Sequence, residues 1–321
     1  MKSWFKSTQL ALALWASAFF CLPFCVALET TKGASNSVTS RLNSKDIVTI
    51  ISYNLQNYFV ETEDTVKPQS PKDLQKMQAA HNIIVQQHPH ILAIQEIGGP
   101  QALLHLQKSL TQQGLNLPHA VLYTGIDTVR QQALLSKYPI VSNNSTPYWS
   151  YKLNGQHLLM NRGILDISLQ TPLGIIRCLG VHLKSQRFSS IAHQKDIRYQ
   201  ETLLLKRHIQ SILTQKANTK LIVLGDFNDT LNSKPIKLIK SIKHPKTDKK
   251  ALYPGYSMTN KSSPDTIWTQ YWEYQGIYSK FDYIWVSSNL TQYSPQFQLS
   301  AIKESLLGSD HRACILKLSR P

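Results

Sequence analysis

Short apolar runs that end on an acidic or amide side chain recur along this chain. IVTIISY (47–53) leads to Asn54, ILAIQ (91–95) to Glu96 and LIVLG (221–225) to Asp226 and Asn228, while Asp310 stands just before the last run, CILKL (314–318). Runs of this length, rich in β-branched residues, predict strands. Any one of these polar residues is an ordinary cap of a turn or helix. Together they are harder to read as caps alone, because strand ends are where a sheet scaffold presents reacting groups to solvent. The fold therefore has to bring distant strand tips together.

Between the runs lie longer amphipathic segments. The pattern predicts a helix over 72–88, a second opened by Gly98, Gly99 and Pro100, and a long one over 194–215. Further strands are expected at 131–136, 162–170, 174–183, 220–227 and 281–287. Alternating and continuous apolar patterns occur side by side, with helices between, so the class is α/β: sheets packed on one another and covered by helices. With no internal repeat or long linker, 46–321 reads as one domain.

The N-terminus is different. Lys2 and Lys6 precede an apolar run from Leu10 to Leu22, and Cys25 and Ala27 occupy the minus-three and minus-one positions of a cleavage site. The run falls short of the roughly 18–20 residues that cross a bilayer, so 1–27 reads as a signal peptide. Residues 28–45 are polar and without apolar period, which predicts a disordered lead-in. Cleavage after Ala27 removes two lysines and no acid, leaving 33 basic against 19 acidic residues, a net charge of +14. Such an excess attracts polyanions such as nucleic acid, or an anionic membrane, without specifying any chemistry. Cys178 and Cys314 remain, and export leaves a disulfide and two buried thiols both open.

Carboxylates with an amide oxygen are the hard ligands that Mg²⁺ takes, one or two directly and water for the rest. Such an ion stabilises charge that develops on a phosphate. Glu96 is the first candidate ligand. His182, at the end of a strand, and His311, directly after Asp310, add imidazoles able to move a proton near neutral pH or to support a charged phosphoryl intermediate.

The ordered set ISYNLQNYF (51–59), ILAIQEIG (91–98), ALLSKYPI (133–140), NRGILDISL (161–169), LGVHLKSQ (179–186), LIVLGDFND (221–229), FDYIWVS (281–287) and GSDHRACI (308–315) resembles the endonuclease/exonuclease/phosphatase family over nearly the whole domain. The resemblance implies a four-layer αββα sandwich, two mostly antiparallel sheets face to face, with the active site at one edge. It also implies roles. Asn54, Glu96 and Asp310 match positions that bind or orient the metal, expected to be Mg²⁺ with Mn²⁺ or Ca²⁺ as alternatives. Asp226 and Asn228 match the pair that holds the attacking water or the scissile phosphate. His311 matches a base or phosphate stabiliser paired to the carboxylate at Asp282, and His182 matches a second catalytic histidine that also faces the phosphate. Arg162 aligns with a phosphate-contacting arginine.

Three departures stand out. Gln56 replaces the acidic residue of abasic-site endonucleases, which argues against that specialisation. Gln132 stands where many relatives carry glycine, and Lys280 and Phe281 precede Asp282 where a basic and a small apolar residue are common. The charge, the leader and His182 favour nucleic acid as substrate and make an exported nuclease, periplasmic or secreted, the leading reading. A lipid headgroup or inositol phosphate is the rival. An inactive polyanion-binding protein is disfavoured because the polar set is complete. Trp268, Tyr271, Trp272 and Tyr274 are expected to pack beneath the sheet beside 281–287, with an exposed membrane-touching loop as the alternative. Lys234, Lys237, Lys240 and Lys243 recur every third residue, with Ile236, Ile239 and Ile242 one step before the last three, and are expected to form a solvated helix face.

Overall fold

In the computed structural model, described over residues 47–61, 70–258 and 268–320, neighbouring residues of one strand serve different cores. Ile50 and Leu316 belong to a core that also holds Leu165, Ile222 and Ile284. Ile51 and Ile315 instead pack with Met77, Ala80 and Leu106, and Val223 and Trp285 with Leu205, Ile209 and Ile239. A strand buried on both faces needs a continuous apolar run, which is why these strands do not alternate.

The chain begins with β1 (Ile47–Tyr58), α1 (Leu74–Gln86), β2 (Ile91–Ile97), α2 (Pro100–Gln112), β3 (His119–Tyr123), β4 (Gln131–Ser136) and β5 (Ile140–Asn143). A small hairpin, β6 (Ser150–Leu153) and β7 (Gln156–Leu159), leads to β8 (Ile164–Thr171), β9 (Gly174–His182), α3 (Gln194–Gln215), β10 (Lys220–Asp226), α4 (Lys234–Lys240) and β11 (Leu252–Pro254). A second hairpin, β12 (Gln270–Trp272) and β13 (Ile277–Ser279), precedes β14 (Asp282–Ser287), β15 (Gln296–Leu299), α5 (Ile302–Gly308) and β16 (Cys314–Ser319). The expected helices and strands form within a few residues of their predicted bounds. The expected leader at 1–27 and lead-in at 28–45 lie outside the described residues, and the residues described belong to one compact unit.

Two six-stranded sheets, ordered β15-β16-β1-β2-β4-β3 and β11-β14-β10-β9-β8-β5, pack face to face with helices outside, giving the four-layer αββα sandwich. The central pair of each sheet, β1 with β2 and β9 with β10, is parallel, and the other pairs are antiparallel. Within each sheet the parallel strands end at the edge where their antiparallel neighbours begin. That geometry puts residues that follow β1, β2, β9 and β10 beside residues that precede β4, β8, β14 and β16. Gly225, at the end of β10, has φ +134, and a Cβ there would run into the Val181 carbonyl of β9.

Two expectations were incomplete. Cys178 and Cys314 are free thiols buried between the sheets. The aromatic segment at 268–274 does not pack beneath β14, whose own Tyr283 and Trp285 fill that layer. It forms the β12–β13 hairpin, with Trp272 and Tyr274 exposed. The lysine stretch meets its expectation in part: Ile236, Ile239 and Ile242 are buried, and Lys234, Lys237 and Lys243 face solvent. The helix ends at Lys240, however, which is half-buried and donates to the Leu231 carbonyl at 3.0 Å, so Lys243 lies beyond it.

Candidate active site

The polar strand ends meet at one edge of the sandwich. Asn54, from the first sheet, donates through Nδ2 to Asp226 Oδ2 of the second at 3.2 Å. Asn228 donates to the same oxygen through its own Nδ2 at 3.0 Å, and its backbone N–H donates to Asp226 Oδ1 at 2.8 Å. His182, paired with Asp226 in the β9–β10 register, places Nε2 3.6 Å from Asp226 Oδ2 and 3.7 Å from Glu96 Oε1. His311 donates from Nδ1 to Asp282 Oδ2 at 2.8 Å and points Nε2 towards Asp226 and Asp310, each 3.9 Å away. Eight of the nine residues singled out from sequence thus form one connected group. The ninth, Arg162, is held beside it, with Nε 3.3 Å from Asp127 Oδ2 and Nη1 3.4 Å from the Leu183 carbonyl.

Burial and charge set these groups apart. Burial works against the His311 cation, yet the carboxylates of Asp282, Asp310 and Asp226 outweigh it and hold the imidazole pKa well above its ordinary value. His182 goes the other way: burial, then the positive charges of Arg162, His311 and Arg130, keep it well below that value. It is therefore neutral at pH 7. Its Nδ1 has no partner among the described residues, so the ring proton belongs on Nε2, which faces two carboxylates. Asp226 is pushed up to about 7 by burial first and then by the neighbouring Asp282.

Two donor sets offer themselves to a divalent ion. Asp226, Asp282 and His311 bring ligand-type atoms within 4.8 Å of one another. Asp282 and His311 are already engaged with each other, however, and an imidazole held as a cation has no lone pair to give. Asp310 differs. Its Oδ1 is buried and accepts no hydrogen bond among the described residues, while Glu96 accepts one among them, from the Asn57 N–H to Oε2 at 2.9 Å, with Arg130 and His182 at longer range. With Asn54 Oδ1, which accepts from the Gln56 N–H and keeps a second lone pair, these two carboxylates make an all-oxygen donor set of the kind Mg²⁺ takes.

The backbone around Glu96 is strained to aim it. Gln56, Asn57, Glu96 and Asn228 all have positive φ, between 48° and 63°. In such conformations non-glycine residues are uncommon and cluster at functional sites. The β1–β2 register shifts between Asn54 and Tyr58, and the β2–β4 register shifts between Gln95 and Ile97, so paired bulges turn Glu96 towards the cleft. Gln56 and Gln132 also find their use here. Gln56 Oε1 accepts the Asp310 N–H at 3.1 Å, and Gln132 Nε2 donates to the Arg162 carbonyl at 2.7 Å.

Several contributors escaped the sequence reading. Arg130 lies 3.9 Å from Glu96 and donates to Asn57 Oδ1 at 2.8 Å. Lys72 donates to the Gln56 carbonyl at 3.1 Å, and burial above all lowers its pKa to about 8. Buried Arg198 and Glu201 of α3 hold the loops that follow His182 and Asn228. None of these residues ends an apolar run, so periodicity gave no signal for them.

The fold is shared with solved structures of low sequence identity. Truncated TDP2 from Caenorhabditis elegans superposes with a TM-score of 0.59 at 16% identity, over 85% of this chain and 98% of that one. The human Nocturnin catalytic domain with bound sulfate anion gives 0.59 at 17%, over 86% and 97%. An endonuclease/exonuclease/phosphatase family protein from Leptotrichia buccalis gives 0.57 at 16%, over 85% and 99%. No curated protein matches the chain by sequence. The sequence model of one family does match, across residues 51–311 and so across the entire site just described. This chain therefore belongs to the endonuclease/exonuclease/phosphatase family of metal-dependent phosphoester hydrolases.

Proposed function

We propose that the protein is an exported, Mg²⁺-dependent nuclease that hydrolyses phosphodiester bonds of nucleic acid by in-line attack of water. The observation that carries this reading is the convergence on Asp226 of Asn54, His182, Asn228 and the His311–Asp282 pair, next to the unsatisfied oxygen of Asp310. Glu96, Asp310 and Asn54 would hold the ion, which when bound withdraws charge from a phosphate oxygen. Mn²⁺ and Ca²⁺ accept the same oxygen donors.

The remaining roles fall to the chain's own side chains. Asp226, fixed by two amide donors, orients the attacking water and accepts its proton. Neutral His182, through Nε2–H, donates to the phosphate oxygens that gain charge, and Arg162 adds a fixed positive charge at their side. Asn228, whose amide hydrogens go to Asp226 and the Leu183 carbonyl, holds the carboxylate that orients the water. His311, kept cationic by Asp282, stabilises the same charge or protonates the leaving oxygen. The net charge of +14 left after cleavage of the expected leader attracts a polyanionic substrate, and that leader supports delivery to the periplasm or the cell exterior.

The test is to incubate the purified protein with plasmid DNA, RNA, sphingomyelin and inositol phosphates in parallel, with Mg²⁺ or with EDTA. EDTA-sensitive cleavage of nucleic acid is expected, weakening steeply with salt. Cleavage of lipid or inositol phosphate alone overturns the substrate and leaves the chemistry standing.

A further inference from the structure

The β12–β13 hairpin is tied directly to the catalytic edge. Tyr271 N–H donates to the Asp310 carbonyl at 2.8 Å, Arg312 N–H donates to the Thr269 carbonyl at 2.7 Å, and Gln270 bridges His311. Thr269 Oγ1 accepts the backbone N–H groups of Phe281 and Asp282, each at 2.9 Å. The root of the hairpin and the His311–Asp282 pair are thus one rigid piece.

Beyond the root, the hairpin presents rings to solvent. Trp272 is 48% exposed, Tyr274 88% and Tyr278 55%. Tyr271 stacks on Tyr278 with centroids 4.5 Å apart, and Trp272 lies 6.4 Å from Tyr274 with planes 33° apart. β12 ends at Trp272 and Tyr274 lies in the turn beyond it, so the rings lead outward from the point where Tyr271 is bonded to the Asp310 carbonyl. Uncharged rings suit the faces of the bases that adjoin a phosphate held beside Asp310, while Arg130, 3.9 Å from Glu96, and Arg162, bonded to the Leu183 carbonyl, supply positive charge at the site itself.

The hairpin's charge separates two occupants. Between Gln270 and Ser279 the only charged residue is Glu273, and there is no lysine or arginine. Surface elements that dip into a bilayer pair apolar side chains with basic ones that meet lipid phosphates. Stacking needs neither, because every base has an aromatic face.

The geometry points to the β12–β13 hairpin as a stacking platform for unpaired bases next to the scissile phosphate, which makes single-stranded nucleic acid the preferred substrate. This rests on the nuclease reading above. Duplex DNA, its base faces already covered, gains nothing from the rings.

The experiment compares the full-length protein with its Trp272→Ala/Tyr274→Ala variant. Substrates are a single-stranded oligonucleotide, its duplex, and an oligomer of equal length carrying stable abasic sites in place of every base. The parent is expected to cut the single strand with a KM about tenfold or more below that of the abasic oligomer, and the variant to lose that preference. Cleavage of the abasic oligomer stays the same in both, and Trp272→Phe/Tyr274→Phe restores the parent KM. Both replaced side chains are exposed, and an unchanged melting midpoint confirms that the fold is kept. An unaltered KM for the single strand in the alanine variant overturns the platform, as does a loss confined to binding of phosphatidylcholine vesicles. Failure of the parent to cut either oligomer sinks the nuclease reading instead.

Discussion

His311 Nδ1 donates to Asp282 Oδ2 at 2.8 Å, and this one bond joins the residue that opens β14 in one sheet to the residue just ahead of β16 in the other. Each partner gives the other its function. The carboxylate fixes the ring and keeps it charged, and the ring neutralises a carboxylate that is 2% exposed. Groups that act as a unit fail as a unit. His311→Ala and Asp282→Asn are each expected to lower kcat/KM about 10²-fold or more, and the double variant no further than the worse single. Steady-state kinetics on the three purified proteins test this, and multiplying losses would show two independent roles.

Glu96 and Asp310 make a separate prediction about the ion. Mg²⁺ is expected to raise the melting midpoint of the parent, because a ligand bound only by the folded state stabilises it. Asp310→Asn and Glu96→Gln should each raise the Mg²⁺ concentration for half-maximal activity about tenfold or more. A melting shift that survives in both variants would move the ion to the Asp226–Asp282–His311 group.

How much of this was legible beforehand follows from what leaves a linear trace. Asn54, Glu96 and Asp226 each close an apolar run, so the strand period exposes them, and the topology that turns those ends to one edge was carried by the ordered set of motifs. Arg130, Lys72 and Arg198 come from loops or a helix face whose partners lie far away in sequence, and no spacing announces them. The aromatic segment misled for a related reason. Composition shows that rings are present but not which side of a strand pair faces protein, and Tyr283 and Trp285 already occupy the layer beneath β14. Gln132 shows the reverse: a departure from the family pattern that acquired its meaning once its amide was found holding the Arg162 carbonyl.

Arg198 is predicted to position both catalytic loops. Only 1% exposed, it donates from Nε to Asp229 Oδ2 at 3.0 Å and from Nη1 to the Lys184 carbonyl at 2.9 Å, so it grips the residues after Asn228 and after His182 together. Breaking a buried pair from one side costs about 3–5 kcal/mol. Arg198→Ala should therefore lower stability by that order and activity with it. Adding Asp229→Asn removes the stranded charge and should return part of the stability without returning kcat. Denaturant unfolding and kcat measured on both variants decide, and recovery of kcat in the double variant would reduce Arg198 to a structural ion-pair partner.

Glu201, one turn along α3 from Arg198, should make stability fall as pH rises. Its carboxylate is 2% exposed and accepts the Lys184 N–H at 2.6 Å, and burial, only partly offset by that bond and nearby cations, lifts its pKa from 4.5 to about 7. Between those two values the folded protein keeps a proton that the unfolded chain has released. Unfolding then gives up a proton, so the folded state loses ground as pH increases across this window and levels off above about 7. The full effect of such a shift is roughly 3 kcal/mol at 1.36 kcal/mol per unit. Glu201→Gln keeps an oxygen to accept from Lys184 but cannot ionise. Measured by urea unfolding at pH 5 and pH 8, the variant should gain stability relative to the parent at the higher pH. A difference between the two proteins that is constant with pH would mean that Glu201 titrates as an ordinary carboxylate and that the surrounding arginines already balance its charge.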